Sequence, residues 1–273
     1  MRVEHIGNAT LILADCMDIM RDQPDKAFDL AIVDPPYGDG GSGQWQDRKR
    51  SRFGGRFDRY SIGESTTSIV GGLDGMPSQK VSRTGGRSKK YQAEGGCPSD
   101  IRHWDFAPPP EYFEELFRVS RNQIIWGGNY FDLPPSRNFI VWHKLTISES
   151  FSMAMAEYAW TSIPGNAKVF ECAPQGTVNE VRFHPTQKPV ALYKWLLSRY
   201  AKDGDTILDT HGGSGSSVIA CMDSGHSITW IEKDVNYFEA ALKRIKDFAA
   251  QPKLPMDDKS DPVEQELGLE EGV

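Results

Sequence analysis

Thr206-Ile-Leu-Asp-Thr-His-Gly-Gly-Ser-Gly-Ser216 runs a short apolar segment into a glycine-rich turn, and an apolar helical stretch, Ser216 to Asp223, follows and closes at Gly225. Strand, glycine turn and helix in that order put backbone N–H groups and a helix N-terminus at the strand's carboxyl end. The glycines there let a ligand approach the main chain. The next apolar run, Ile228-Thr-Trp-Ile231, ends at Glu232, a carboxylate placed to accept hydrogen bonds from ribose hydroxyls. Together these features describe a nucleoside site. A turn that only packs helix on strand uses the same glycines, so the pattern alone decides little.

Outward from this loop, strand and helix alternate. Ala9 to Asp15 and Phe28 to Val33 read as strands around a short helix over Cys16 to Arg21. Gln123 to Trp126, Phe139 to Trp142 and Ala156 to Trp160 read as further strands, and Pro110 to Val119, Pro189 to Tyr200 and Tyr237 to Ala250 as helices. Such alternation predicts an α/β fold with a largely parallel sheet. Phe28-Asp-Leu-Ala-Ile-Val33 is apolar almost throughout, as a strand covered on both faces is. It stops at Asp34-Pro35-Pro36-Tyr37, because two prolines cannot continue a central strand.

That tetrad carries the chemistry. An exocyclic amine conjugated to a base ring is a poor nucleophile, since its lone pair is delocalised. The Asp34 carboxylate and the Pro35 carbonyl can both accept its N–H protons and favour a pyramidal nitrogen. Pro35 and Pro36 hold these acceptors rigid, the preorganisation that electrostatic catalysis needs, and Tyr37 offers a face on which an extruded base can stack.

The chain has 273 residues and a net charge of −7, which at first argues against a nucleic-acid partner. The charge is unevenly spread, however. Between Gly38 and His103 there are 12 Lys+Arg against 7 Asp+Glu, with 14 of the 26 glycines and 9 serines. Long stretches without periodicity are either functional or disordered. This one leaves directly after Tyr37, and Arg48, Lys49, Arg50, Arg52, Arg56 and Arg59 are interleaved with Phe53, Phe57 and Tyr60. Arginines hold phosphates or read guanine edges, and aromatics wedge where a base leaves the stack. The sequence thus divides into a catalytic domain over 1–250, a basic mobile insertion over 38–103 and an acidic disordered tail over 251–273. No apolar run is long enough for a membrane span and no signal core follows Met1, so the expected location is cytoplasmic. Cys16, Cys97, Cys172 and Cys221 are scattered without metal-ligand spacing and read as free thiols; no metal is expected.

Asp34-Pro-Pro-Tyr37, His184-Pro-Thr-Gln-Lys-Pro189 and Asp209-x-x-x-Gly213-Ser214-Gly215, in that order, resemble the beta-class amino-methyltransferases of DNA. Ala14-Asp15, Ile125-Trp-Gly-Gly-Asn-Tyr130 and Glu157-Tyr-Ala-Trp160 fit the same family in the expected positions. The resemblance implies a Rossmann-like methyltransferase fold: a mostly parallel seven-stranded sheet with helices on both faces and a circularly permuted motif order. It implies S-adenosylmethionine as cofactor and DNA as partner, with a homodimer one option for the assembly. Asp34, Pro35, Pro36 and Tyr37 would then hold the target amine. Asp209, His211, Gly213, Ser214 and Gly215 would line the methionine part of the cofactor, Glu232 its ribose, Asp15 its adenine end, and His184, Thr186 and Lys188 its amino-acid end. The Trp and Phe residues around 126 to 160 are expected to build core and cleft walls, and Glu157 is expected to be structural, with contact to the target strand the alternative.

Where the family commonly has Pro-Phe, this chain has Thr210-His211. An imidazolium beside a sulfonium would be repelled, so His211 is expected to stay neutral. Asp rather than Ser at the first tetrad position favours adenine N6 over cytosine N4. An RNA substrate and a catalytically silent DNA-binding module are the other readings, and methyl transfer to each polymer separates them. Carbon-5 cytosine chemistry is disfavoured, because no cysteine follows a proline.

Overall fold

The computed structural model describes residues 1–38, 106–148, 154–174 and 183–251. Nine strands form one sheet: β1 (Arg2–Ile6), β2 (Ala9–Leu13), β3 (Phe28–Val33), β4 (Ser120–Trp126), β5 (Phe139–His143), β6 (Ala156–Thr161), β7 (Lys168–Glu171), β8 (Thr206–Asp209) and β9 (Ser227–Glu232). The helices are α1 (Cys16–Arg21), α2 (Pro110–Val119), α3 (Val190–Tyr200), α4 (Ser216–Ser224) and α5 (Val235–Ala249). Most of the basic insertion, including Arg48, Lys49, Arg50, Arg52, Arg56 and Arg59, lies outside the described residues, as does the tail after Gln251. Among the described residues no helix is long and apolar enough to cross a membrane.

The strand order is β1-β2-β9-β8-β3-β4-β6-β5-β7. The seven strands expected from the sequence are all present, and the sheet gains one more at each edge. At one edge β1 folds back on β2 through the two-residue turn Gly7-Asn8, with Ile6 opposite Ala9. At the other, β7 pairs with β5. Both additions are mostly exposed. Short, charged, solvent-facing edge strands carry little of the apolar signal that marks an interior strand.

The parallel centre is β2, β9, β8, β3 and β4. Its side chains alternate between faces, as strand geometry requires. Leu30 and Ile32 pack with Leu192, Leu196 and Phe238 of α3 and α5, whereas Ala31 and Val33 pack with Met20 of α1 and Tyr112 and Leu116 of α2. Helices thus cover both faces.

Register places the functional loops. Leu30 and Ala31 pair with Ile207 and Leu208, so the chain leaving β3 at Asp34 runs beside the chain leaving β8 at Asp209. Leu13 pairs with Glu232, and Val33 with Ile125. From β8 the connection through α4 goes one way, to β9, and from β3 the connection through α2 goes the other, to β4. The boundary between β8 and β3 is therefore a topological switch point, where a crevice opens at the strands' carboxyl ends.

Candidate active site

The crevice is a cavity of about 530 Å³. Asp34, Pro35, Pro36 and Tyr37 form one wall, and His211, Gly213 and Ser214 of the glycine loop form another. Asp15 and Glu232 close the end beside β2 and β9, and His184, Thr186 and Lys188 border it ahead of α3. Motifs far apart in sequence therefore share one space. Two expected residues stand behind the wall instead. Asp209 is buried and accepts hydrogen bonds from Ser217 Oγ at 2.6 Å and from the His211 N–H at 3.2 Å, so it braces the loop from within. Gly215, at φ +72°, is the N-cap of α4 and is packed against Ile245 of α5.

The tetrad is held from two sides. Tyr37 stacks on Tyr130 with ring centroids 4.7 Å apart and meets Phe131 edge-on at 6.3 Å. Its hydroxyl donates to Asp34 Oδ1 at 2.9 Å. The other carboxylate oxygen, Oδ2, accepts from the Lys188 ammonium. Lys188 does border the cavity, but its charge is directed at Asp34 and, at 3.2 Å, at Glu157 Oε2. Lys144 holds Glu157 Oε1 at 2.6 Å. Two lysines and two carboxylates therefore form a buried, electrically balanced row. Burial raises the Asp34 pKa above the usual carboxylate range, with Lys188 opposing the shift. Burial works against the Lys188 ammonium, but Asp34 and Glu157 outweigh it and raise its pKa. Burial also works against the Glu157 carboxylate, and the two lysines outweigh it there.

At the opposite end Glu232 does two jobs. Oε2 accepts the Gly213 N–H at 2.8 Å, and Oε1 accepts the N–H groups of Lys233 and Asp234, each at 2.8 Å. These bonds fix the glycine loop against β9 and leave the carboxylate on the cavity wall. Asp15 caps α1 by accepting the Met17 N–H at 2.9 Å. His184 packs on Tyr237 at 4.3 Å between centroids, and its Nδ1 is 3.2 Å from Thr186 Oγ1.

His211 fits the expectation of neutrality. Burial pushes its pKa down to about 4, and its Nδ1 faces Thr210 Oγ1 at 3.0 Å and Tyr112 Oη at 3.4 Å. Burial pushes the neighbouring Asp209 up to about 7. The two shifts act on stability with opposite sign. Depressed His211 makes the fold more stable as pH rises from about 4 to 6.5, because the unfolded chain binds the extra proton. Raised Asp209 makes it less stable as pH rises from 3.8 to about 7, because there the folded chain binds it. In the wild type the slopes largely cancel. The variant His211→Phe is expected to uncover the Asp209 slope, losing roughly 1 kcal/mol of stability per pH unit over that window. Denaturant unfolding at pH 5, 6 and 7 reads this, and parallel wild-type and variant curves would sink it.

Sequence reading missed Tyr112, Tyr130 and Lys144 as neighbours of the site and gave Glu157 a structural role, with contact to the target strand as the alternative. Tyr112 was visible as a helical apolar position, but its hydroxyl contact with Thr210 at 2.6 Å depends on α2 docking against the glycine loop. Nothing local distinguishes Lys144 from a surface lysine; it is buried only because β5 and β6 pair antiparallel and place it beside Glu157.

Residues 125–243 match the family model described as DNA methylase. That span runs from the end of β4 into α5 and takes in Glu157, Lys188 and the glycine loop, while Asp34 to Tyr37 precede it. The chain is 22% identical over 262 residues to the Type II methyltransferase M2.MboI of Moraxella bovis, covering 87% of each chain. It is 32% identical over 88 residues to the DNA adenine methyltransferase YhdJ of Escherichia coli (strain K12), which is 32% of this chain and 30% of that one. Among solved structures, PvuII DNA methyltransferase (cytosine-N4-specific) aligns with a TM-score of 0.49 at 11% identity, over 89% of this chain and 92% of that one. A match that takes in the glycine loop and a relative aligned over most of its length agree with the motifs gathered in the cavity: residues 125–243 are similar to the DNA methylases, and most of the chain is similar to a Type II methyltransferase.

Proposed function

We propose that this protein methylates the N6 amino group of adenine in DNA, using S-adenosylmethionine. The observation that carries the reading is the shared cavity: the Asp34 tetrad faces the glycine loop and Glu232 across about 530 Å³. The residues present fit the cofactor. Glu232 and Asp15 offer carboxylates at the end suited to a nucleoside, Gly213 at φ +52° exposes its backbone beside His184, and neutral His211 puts no positive charge near a sulfonium. When bound, the cofactor supplies an electrophilic methyl group on that sulfonium.

The chain's own part is to make the amine nucleophilic. Asp34 and the Pro35 carbonyl would accept hydrogen bonds from its two N–H groups, localise the lone pair on nitrogen and hold it towards the methyl group that the cofactor would supply. Asp34 is the base placed to receive the proton that nitrogen then sheds. An adenine reaches this position only by leaving the stack. Asp at the first tetrad position and the similarity to an enzyme named as an adenine methyltransferase support adenine over cytosine. Gly38 lies against Ala107, with room for only a hydrogen between them, so the basic segment departs and returns at one point on the cavity rim. That placement supports Arg48, Lys49, Arg50, Arg52, Arg56 and Arg59 as the DNA contacts.

The test is transfer from labelled S-adenosylmethionine to unmethylated duplex DNA, with the digested nucleosides identified by mass spectrometry. N6-methyladenine is expected. N4-methylcytosine would overturn the choice of base, and transfer to RNA alone would overturn the choice of polymer.

A further inference from the structure

Both oxygens of the catalytic carboxylate are already in use. Tyr37 Oη donates to Oδ1 and Lys188 Nζ to Oδ2, so an incoming amine finds its acceptor occupied by an ammonium. Lys188 is itself buried, its ammonium over the face of Trp126 at 5.2 Å. A second acceptor lies within reach. Glu157 Oε2 is buried, 3.2 Å from the same ammonium, and not aligned with it for a hydrogen bond, while Oε1 is held by Lys144. An unsatisfied buried carboxylate oxygen is costly. This one points at the only cation between it and the reacting centre among the described residues.

Resting on the reading of Asp34 as the amine's acceptor, we infer that Lys188 is a two-position counter-ion, held mainly by Asp34 and drawn over to Glu157 Oε2 as the target amine engages Asp34. Glu157, which also lines the cavity, is then a positioning residue that acts by taking Lys188 away. The row Lys144, Glu157, Lys188, Asp34 carries two charges of each sign in either position, so the move buries no net charge. Asp34 also feels Tyr37, Tyr112, Tyr193, Glu157 and the buried Asp209; Glu157 is faced by Lys144 and Lys188. The lysines keep Glu157 ionised and the carboxylates keep Lys188 protonated, so both partners of the second position hold their charge at neutral pH.

A residue that works only through another loses its effect when that other is removed. Single-turnover methylation of unmethylated duplex DNA of random sequence is measured for wild type, Glu157→Gln, Lys188→Met and the double variant, with cofactor binding followed by calorimetry. Glu157→Gln alone is expected to slow transfer by about tenfold or more with cofactor affinity kept, and to change the rate by less than about twofold in the Lys188→Met background. An unaffected single variant, or effects that multiply in the double, would overturn the inference. Should Glu157→Gln not fold, Glu157→Asp, which keeps the charge and shortens the reach, is read in the same two backgrounds against the same outcomes. Asp34→Asn separates this from the underlying reading. If that variant is inactive and the cycle multiplies, only the counter-ion inference fails; if it methylates at the wild-type rate, Asp34 is not the acceptor and both fail.

Discussion

Asp34→Asn is expected to cut methyl transfer by at least about 10²–10³-fold, the loss seen when one preorganised group is removed from a developing charge. An amide at this position keeps the shape but reverses the chemistry. Its oxygen can still accept one N–H hydrogen bond but carries no charge and cannot receive the proton that the nitrogen sheds, and its NH₂ group faces the Lys188 ammonium or the Tyr37 hydroxyl, both of which donate to the carboxylate now. The same change leaves a buried lysine without its nearest counter-ion. Breaking such a pair costs about 3–5 kcal/mol when nothing replaces the lost partner. Here Glu157 stands 3.2 Å from the ammonium and takes up part of the charge, so the loss of stability should fall below that range. Folding and reaction are read separately, by denaturant unfolding and by single-turnover transfer at saturating cofactor. A stable variant that retains a tenth or more of the wild-type rate would remove Asp34 from the mechanism.

The parts of this molecule that were legible in its sequence are those whose signal is local. Phe28 to Val33 is a buried central strand because almost every residue is apolar, and its end at Asp34 follows from the two prolines. The glycine loop is legible because a strand, a turn and the first residue of a helix sit within eleven residues, Thr206 to Ser216. The hairpin of β1 and β2 was also written locally, in Gly7-Asn8 between two alternating runs, and was passed over because the exposed Arg2, Val3 and His5 make β1 look like a leader to β2. The charge row was not legible. Lys144, Glu157 and Lys188 come from three elements, and only the antiparallel pairing of β5 with β6 and the approach to α3 bring them to Asp34. A sequence reading can assign Lys188 to a site by its motif, yet which charge it meets is a property of the packed whole.

Gly127 links these two kinds of information, and Gly127→Ala is the second large expected effect. The residue has φ +67°, a left-handed conformation that costs an L-residue about 1–2 kcal/mol. Space is the greater obstacle. A Cβ would lie 2.1 Å from Tyr37 Cε1 and 2.6 Å from Cδ1. The ring cannot simply turn aside, since Tyr130 is stacked on it, Phe131 meets it edge-on and Asp34 holds its hydroxyl. Overpacking of this kind adds about 1–3 kcal/mol, so the total loss of stability should be roughly 2–5 kcal/mol. Gly213→Ala serves as the comparison. It too has positive φ, at +52°, but its Cβ would come no nearer than 3.4 Å to His184, so it should lose only the backbone part. The clash has a specific signature: in a Tyr37→Ala background, where the ring that anchors Asp34 is gone and methyl transfer is lost, Gly127→Ala should cost only its backbone share, about 1–2 kcal/mol. If Gly127→Ala costs as much in that background as in the wild type, then Gly127 is kept for its backbone conformation and not to make room for the tyrosine that orients the catalytic carboxylate.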